Sequence, residues 1–291
     1  MTASLKNILC LTGIGLLLNA CSSFSVLSVT ERIAQAQQIA AQHGWQSVLI
    51  KTEAFDLQAF AKPLATNRSD QVADTLQVYL EGDGHAWLNS QTPSDDPSPI
   101  NPVALRLAVQ DSSPAVAYLG RPCQYLQAET ARNCSESNWT THRFSPDVIR
   151  ASSTAVDALK TRYQAKQVRL IGYSGGAAVA LLVAAQRHDV EAVITVAGNL
   201  DTAQWTRHHQ LMPLTGSLNP SDFSSQLTGI AQTHYVGGAD SIMPPLNAQS
   251  YLARFPPAQK SRLIIMPAYA HVCCWAENWK LIYERKQGQN P

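Results

Sequence analysis

The five residues Gly172-Tyr173-Ser174-Gly175-Gly176 constrain this chain more than any other feature, because of what lies on either side of them. The segment VRLI at 168–171 has the pattern of a strand, and the nearly all-apolar stretch at 177–185 predicts a buried helix. A G-x-S-x-G sequence between a strand and a helix forms a tight turn that projects the serine hydroxyl above a sheet. The helix N-terminus then directs free amides at negative charge developing near that hydroxyl. The motif therefore predicts that Ser174 is a nucleophile.

Short apolar runs alternate with helical stretches along most of the chain. Strands are predicted at Ser47–Thr52, Leu57–Ala61, Leu76–Leu80, Ala115–Leu119, Val168–Ile171, Ala192–Val196, Thr233–Val236 and Leu263–Met266. Helices are predicted at Thr30–Gly44, Val148–Tyr163, Ala177–Arg187, Ala248–Phe255 and Trp275–Arg285. Continuous apolar strands joined by helices favour an α/β fold, with a mostly parallel sheet buried between helices.

Two segments interrupt this alternation. Ser90–Pro102 is rich in Pro, Ser and Asp and is expected to be a loop. Asn199–Gly229 is too long for a simple connection between two strands. It is expected to be either a small cap over a pocket or a helix with decorated loops, within a single domain at 30–291.

The composition excludes two classes of protein. Hydrophobic residues make up 45% of the 291 residues and charged residues 15%, which is unlike a disordered polar chain. Lys and Arg number 22 against 21 Asp and Glu, so the formal charge of +1 gives no sign of a nucleic-acid partner.

A serine nucleophile needs a base and a group that orients that base. Asp240 follows the predicted strand THYV at 233–236 through Gly237 and Gly238, so it lies in a turn just past a strand end. His271 lies in the loop after the last predicted strand and before the last helix. Both residues also have structural roles as alternatives to the catalytic ones. Asp240 could cap a turn, and His271 could pack against the final helix or cap it.

The reaction also needs donors for an oxyanion. The amide of Gly175, the residue after the nucleophile, is one candidate. The other is expected in the loop Glu81-Gly82-Asp83-Gly84 after the strand LQVYL, and we assign it to the amide of Asp83, with Gly84 as the alternative. By itself, this loop is equally compatible with a plain glycine-rich turn.

Together these residues resemble the α/β-hydrolase superfamily, over about 47–285. The resemblance implies an eight-stranded, mostly parallel sheet with Ser174, Asp240 and His271 converging at the carboxyl edge of its strands. It also implies hydrolysis of a small acyl ester or thioester, with neither a metal nor an organic cofactor. Glu81, where the family's oxyanion loop carries His, departs from the pattern. A cysteine pair beginning two residues after His271 is the second departure.

Other histidines and acids compete for these roles. His208, His209 and His234 follow Ser174 but precede Asp240, whereas the family's chain order is Ser, acid, His. We interpret them as cap or structural residues. His188 is expected to be a favourable charge at a helix C-terminus. Asp201 is the alternative acid.

The N-terminus has the pattern of an export signal. Lys6 precedes the apolar run Ile8–Leu18, which is too short to span a bilayer. The following Leu18-Asn19-Ala20-Cys21 resembles the bacterial lipobox, which implies a signal peptide at 1–20, lipidation of Cys21 and a short leader at 21–29. Position 22 is Ser rather than Asp, which favours sorting of the lipidated protein to the outer membrane, where it would face the periplasm. The alternative is an ordinary cleaved signal with a free Cys21.

Export makes disulfides possible among the remaining cysteines. Cys123 and Cys134 flank a short polar segment, and a bridge between them would stabilise the fold by about 3 kcal/mol. Cys273 and Cys274 are adjacent and would form either a vicinal disulfide or two buried thiols. A vicinal disulfide would tether the loop that carries His271. The sequence does not determine the pairing.

We expect an esterase-like serine hydrolase, with an apolar pocket lined by Trp87, Trp205 and Leu211–Leu214 unless these residues belong to the core. The first rival is an acyltransferase acting on envelope lipids, suggested by the membrane anchor. The second is a non-catalytic binding lipoprotein that keeps the fold. The sequence names no protein partner.

Overall fold

A computed structural model describes residues 27–64, 73–127, 130–259 and 261–287 of the chain. The predicted signal peptide and Cys21 lie outside these residues. Within the described ranges, no helix combines the length and apolar character needed to cross a membrane.

A single sheet of eight strands runs through the middle of the fold in the order β1-β2-β4-β3-β5-β6-β7-β8. Strand β2 is antiparallel to both of its neighbours, and the other adjacent pairs are parallel. The strands are β1 (Gln46–Lys51), β2 (Asp56–Ala61), β3 (Thr75–Leu80), β4 (Val116–Leu119), β5 (Gln167–Tyr173), β6 (Val190–Val196), β7 (Ala231–Gly237) and β8 (Ser261–Met266). The mostly parallel eight-stranded sheet predicted from the sequence is thus confirmed.

Helices cover both faces of the sheet. They are α1 (Val29–Gln42), α2 (Val103–Ala108), α3 (Pro146–Tyr163), α4 (Gly175–Ala184), α5 (Thr202–His208), α6 (Ser224–Leu227), α7 (Pro245–Leu252) and α8 (Trp275–Gln287). One hydrophobic core lies between the sheet and α3, α4 and α7. A second core on the opposite face contains apolar residues of α1, α2 and α8. The sheet is buried because both of its faces are covered, as parallel sheets require.

The helix predictions need correction in several places. Helix α7 runs from Pro245 to Leu252, three residues earlier at each end than the predicted Ala248–Phe255. Helix α1 begins at Val29 rather than Thr30, because Ser28 and Glu31 form a capping box. Helix α4 ends at Ala184, so His188 lies beyond the helix and is not its terminal charge. The six-residue helix α2 was not predicted, since it is too short for an amphipathic pattern to be visible.

The two segments that interrupt the alternation of strands and helices differ in structure. Ser90–Pro102 forms no helix or strand, as expected, and the buried Arg32 of α1 holds it by donating to the carbonyls of Asp96 and Ser98. The segment 199–229 contains α5, a short 3-10 turn at Pro220–Phe223 and α6.

The carboxyl ends of the parallel strands meet at one edge of the sheet. Leu80 of β3 pairs with Gly172 of β5, and Tyr173 pairs with Val196 of β6. Strand β7 ends beside β8 at the same edge, where Gly237 pairs with Met266. Loops that leave these ends therefore bring distant parts of the sequence together, as is usual for ligand sites in open α/β sheets.

Candidate active site

Ser174 lies in the turn that connects β5 to α4, in a backbone conformation that residues other than glycine rarely adopt. Its φ is +51° and its ψ −121°. Its amide donates to the carbonyl of Val196 at 2.9 Å, which fixes the turn to the end of β6. A Cβ on Gly172 would lie 2.4 Å from the Cα of Ala177, so only glycine permits so close an approach of strand and helix. The motif therefore builds the strained turn that the sequence predicts.

Ser174, His271 and Asp240 are joined by hydrogen bonds. The Nε2 atom of His271 lies 3.0 Å from the Oγ of Ser174, and its Nδ1 atom lies 2.9 Å from the Oδ2 of Asp240. Both distances are within the range for a nucleophile–base and a base–acid contact. The structure thus brings together the three residues selected from the sequence, from loops after β5, β7 and β8.

The carboxylate of Asp240 is fully buried and bound on both oxygens. Its Oδ1 accepts hydrogen bonds from the amides of Ile242 and Met243, at 2.9 and 2.8 Å. Its Oδ2 faces His271, and its side chain has no exposed surface. The turn after β7 therefore orients this carboxylate before any substrate is present.

Two aromatic side chains hold the loop that carries His271. The hydroxyl of Tyr173 donates to the carbonyl of His271 at 3.0 Å, and its ring lies against the imidazole, with centroids 5.5 Å apart. The indole nitrogen of Trp275 donates to the carbonyl of Ala270 at 2.9 Å. Cys273 and Cys274 are paired in the same loop. Sequence reasoning missed Tyr173, although its place beside Ser174 in the motif could have indicated it.

Asp83 and Gly175, the residues expected to supply the oxyanion donors, are in direct contact. A Cβ on Gly175 would lie 2.0 Å from Oδ1 of Asp83, so the Asp83 carboxylate packs directly on the Cα of Gly175. In the part of the chain that the structure describes, neither residue's backbone amide donates a hydrogen bond. Both amides are therefore available as donors beside Ser174.

Two buried arginines hold the carboxylate of Asp83. Arg121 and Arg143 contact its two oxygens at 3.1 and 2.7 Å, and each arginine side chain is only 6% exposed. Burial alone would raise the pKa of Asp83, but the charges of Arg143 and Arg121 outweigh it and keep that pKa below its ordinary value. Sequence reasoning missed both arginines, since no motif links them to a residue 38 or 60 positions away.

Gln124 and a disulfide fix the loop that supplies Arg121. The Nε2 of Gln124 donates to the carbonyl of Gly82, and its Oε1 accepts from the amide of Arg121. Cys123 is paired with Cys134, with their Cα atoms 5.6 Å apart. The loop at 81–84 is thus held by its backbone as well as by the side chain of Asp83.

Glu81 lies beneath the same loop and is almost fully buried. Its Oε1 accepts from the amides of Gly82 and Ala104, at 3.0 and 3.3 Å. Burial raises the pKa of Glu81 to about 7, although these hydrogen bonds act in the opposite direction. The carboxyl therefore connects the end of β3 to the first turn of α2.

A cavity of about 330 Å³ opens beside Ser174 and His271. Its mouth carries three exposed aliphatic side chains, Ile100, Ile242 and Val272. Trp205 lines this cavity as expected, whereas Trp87 and Leu211–Leu214 do not. Within 199–229, Trp205 is the residue that lines this cavity.

The rival histidines and acid lie outside the hydrogen-bonded chain. His234 is buried in β7 with its Nδ1 2.8 Å from Thr195 Oγ1. His209 Nε2 lies 2.9 Å from the carbonyl of Ile242, and the ring of His208 packs on that of His209. Asp201 caps α5 by accepting from the amide of Gln204. Among the described residues, no group of three or more His, Cys, Asp or Glu is placed to hold a metal ion.

Solved structures share this architecture at low sequence identity. An esterase from Pyrococcus furiosus is 15% identical with a TM-score of 0.56, over 87% of this chain and 94% of that one. An alpha-beta serine hydrolase homologue from Coxiella burnetii is 12% identical with a TM-score of 0.55, over 84% and 97%. A puromycin hydrolase is also 12% identical with a TM-score of 0.57, over 81% of this chain, which spans only 37% of its length.

No model of a protein family matches the sequence, and no curated protein is similar to it. The structural likeness establishes that this chain has the α/β-hydrolase fold, as its sequence predicts. Because one fold hosts many functions, the chemistry has to be argued from the site itself.

Proposed function

We propose that this chain is a serine hydrolase that cleaves carboxylic esters, or thioesters, through an acyl-enzyme. The observation that carries the proposal is the unbroken hydrogen-bonded chain from Ser174 through His271 to Asp240. A serine on a strained turn, a histidine in contact with it and a buried carboxylate behind the histidine are the groups that such chemistry requires.

In the first step, Nε2 of His271 takes the proton of Ser174 as Oγ attacks the acyl carbonyl carbon. Asp240 keeps the other imidazole proton on Nδ1 and stabilises the imidazolium that forms. The tetrahedral intermediate then collapses, and His271 returns its proton to the departing alcohol or thiol. A covalent ester between the acyl group and Oγ remains.

Water completes the cycle by the same route. His271 removes a proton from a water molecule that attacks the acyl-enzyme carbonyl, and then protonates Oγ as the acid leaves. In both steps the amides of Asp83 and Gly175 donate to the oxyanion. Each such donor is typically worth about 2.7–4 kcal/mol of transition-state stabilisation.

The cavity favours an ester with an apolar acyl group. Three aliphatic side chains surround its mouth, and burying an apolar chain against them is favourable by about 0.8 kcal/mol per methylene group. A medium-length acyl chain suits a cavity of about 330 Å³.

Hydrolysis of p-nitrophenyl octanoate tests this function. The native chain should release nitrophenolate in proportion to its concentration, and Ser174→Ala should reduce kcat by about 10⁶-fold because the nucleophile is gone. Ser225→Ala, a change at an exposed serine far along the chain, should retain full activity. Equal rates for Ser174→Ala and the native chain would refute the proposal.

We also propose that Cys21 carries the lipid that anchors this domain to the outer membrane, facing the periplasm. The support is the Leu18-Asn19-Ala20-Cys21 sequence after a short apolar run. Two or more acyl chains give stable attachment to a bilayer, whereas one chain gives only marginal binding.

A further inference from the structure

The peptide unit that joins Gly82 to Asp83 carries the N–H that is assigned to the oxyanion. A trans peptide is planar, and its carbonyl and its N–H point in opposite directions. Among the described residues, the one cis peptide joins Cys273 to Cys274, so the peptide between Gly82 and Asp83 is trans. A contact that holds the carbonyl of Gly82 therefore also sets the direction of the Asp83 N–H.

Gln124 holds this carbonyl with a buried side-chain amide. Its Nε2 donates to the carbonyl of Gly82 at 2.9 Å, and Gln124 is only 1% exposed. The same Nε2 lies 3.4 Å from the carbonyl of Pro97, and Oε1 accepts from the amide of Arg121 at 3.0 Å. The nitrogen thus faces two carbonyls and the oxygen faces an N–H, so these partners fix the orientation of the amide group.

The backbone on both sides of Gln124 is strained. Cys123 and Tyr125 have φ values of +71° and +58°, in the left-handed region that residues other than glycine rarely adopt. The disulfide between Cys123 and Cys134 and a hydrogen bond from the amide of Tyr125 to Oγ of Ser98 hold this conformation. Backbone strain of this kind persists only where the surroundings hold it, and it is concentrated at functional sites.

Gly84 leaves the space that Gln124 needs. A Cβ on Gly84 would lie 2.9 Å from Nε2 of Gln124 and 2.0 Å from the carbonyl oxygen of Pro97. Its φ of +67° is also a conformation that favours glycine. A larger residue at this position would separate the side-chain amide from the loop.

The cavity lies on the other side of this loop. Gly82 and Asp83 line the cavity beside Ser174, whereas Gln124 does not. The amide of Gly82 donates to Oε1 of Glu81, while the amide of Asp83 donates to no other described residue. Because the carbonyl of Gly82 is directed at Gln124, the Asp83 N–H is directed away from it.

We infer that Gln124 is a positioning residue, which holds the Asp83 N–H toward the oxyanion without touching the substrate. This inference rests on the ester hydrolysis at Ser174 that is proposed above. Gln124→Met keeps the length of the side chain but has no donor, so it releases the carbonyl of Gly82. For p-nitrophenyl octanoate, kcat should fall by about 10²-fold with little change in KM, as for the loss of one oxyanion donor.

Two ketones separate the loss of an oxyanion donor from a general loss of structure. Octyl trifluoromethyl ketone and octyl methyl ketone carry the same chain, but only the trifluoromethyl ketone is electrophilic enough to be attacked by Ser174. In that attack Oγ bonds to the carbonyl carbon, the hydroxyl proton moves to Nε2 of His271, and the carbonyl oxygen becomes an oxyanion.

Calorimetry measures the affinity for each ketone and needs no turnover. The native chain should bind the trifluoromethyl ketone more tightly, and Gln124→Met should reduce the ratio of the two affinities by about 10²-fold. Gln124→Glu places an oxygen against the carbonyls of Gly82 and Pro97, so it should reduce the ratio at least as much.

Gln232→Met is the matched control. Gln232 is also buried, and its amide also contacts a carbonyl and a donor, those of Leu227 and Tyr251. It lies near the amino end of β7, away from the edge of the sheet that carries Ser174. This variant should have a lower free energy of unfolding and an unchanged ratio of affinities.

The two ways in which the inference can fail are distinguishable. A native chain that binds both ketones equally would refute attack by Ser174, and with it both the proposed function and the role of Gln124. A preference for the trifluoromethyl ketone that Gln124→Met and Gln124→Glu leave unchanged, or that Gln232→Met reduces as much, would overturn the role of Gln124 alone.

Discussion

Asp240 contacts the imidazole through one carboxylate oxygen, while its other oxygen accepts two backbone amides. Asp240→Asn places an amide where Oδ2 now accepts from Nδ1 of His271. The imidazole then takes the wrong tautomer, and kcat for ester hydrolysis should fall by about 10⁴-fold with little loss of structure. Stopped-flow or steady-state hydrolysis of p-nitrophenyl octanoate measures this.

Asp201→Asn is the matched control for that substitution. Asp201 is also buried, but it caps α5, and its carboxylate accepts hydrogen bonds from the amide of Gln204 and the hydroxyl of Ser250. The Asp201→Asn variant should have a lower free energy of unfolding than the native chain, without a fall in kcat comparable to that of Asp240→Asn. A larger fall in kcat for Asp201→Asn than for Asp240→Asn would show that the wrong acid has been chosen.

Besides the backbone amide that it offers as an oxyanion donor, Asp83 stabilises the fold through its side chain. Asp83→Asn keeps the backbone amide but leaves Arg121 and Arg143 buried without their carboxylate. Breaking a buried ion pair costs about 3–5 kcal/mol, so the free energy of unfolding in urea should fall by this amount. The folded fraction should also show a lower kcat, because the carboxylate packs on Gly175 and positions the two amides.

Asp95→Asn controls for the loss of a negative charge in the same region, because Asp95 is exposed and forms no ion pair among the described residues. Its stability and kcat should match those of the native chain. A change of less than 1 kcal/mol for Asp83→Asn would mean that the arginines do not depend on this carboxylate.

At the scale of helices and strands, the sequence predicts most of the fold. All eight strands are found, since each is a short apolar run between breakers. The helices that were found are mostly long and amphipathic or wholly buried, whereas α2 is too short to show a period. The sequence predicts that α1 begins at Thr30, but the capping box formed by Ser28 and Glu31 makes Val29 its first residue.

Glu81 couples the end of β3 to α2, and its ionisation should therefore affect stability. Its pKa of about 7 lies above the ordinary value of 4.5, so the folded chain retains a proton that the unfolded chain releases. The free energy of unfolding should fall as pH rises from about 4.5 to about 7, by about 1.4 kcal/mol per pH unit, and then level off. Glu81→Gln keeps an oxygen acceptor for the amides of Gly82 and Ala104 and should abolish this slope.

Urea denaturation at several pH values between 5 and 8 measures the difference between the two proteins. Glu53→Gln, at an exposed glutamate, should keep the native slope. Parallel pH curves for the native chain and Glu81→Gln would contradict the assignment of a raised pKa to this carboxyl.

At the scale of the whole molecule, the site is only partly predictable. Ser174, Asp240 and His271 were found because each follows a strand whose carboxyl end lies at one edge of the sheet. Arg121 and Arg143 were not found, because their contacts with Asp83 arise only when separate loops pack together.

The proposed anchor concerns the full-length chain. Expressed in a bacterial host, the native chain should fractionate with the outer membrane, because the proposed acyl chains on Cys21 would bind the bilayer. Cys21→Ser should move it to the soluble fraction, and Cys10→Ser, within the apolar run, should not. Immunoblots of the separated fractions measure this, and a native chain found only in the soluble fraction would refute the anchor.

Covalent labelling of Ser174 tests the central claim most directly. The purified, folded chain is treated with a fluorophosphonate probe, and the modified peptide is located by mass spectrometry, with Ser174→Ala in parallel. We predict one adduct, on Ser174, that is absent from the variant, because His271 activates only this hydroxyl. Folded native chain that remains unlabelled, or that is labelled at another serine to the same extent in both proteins, would contradict the assembled site.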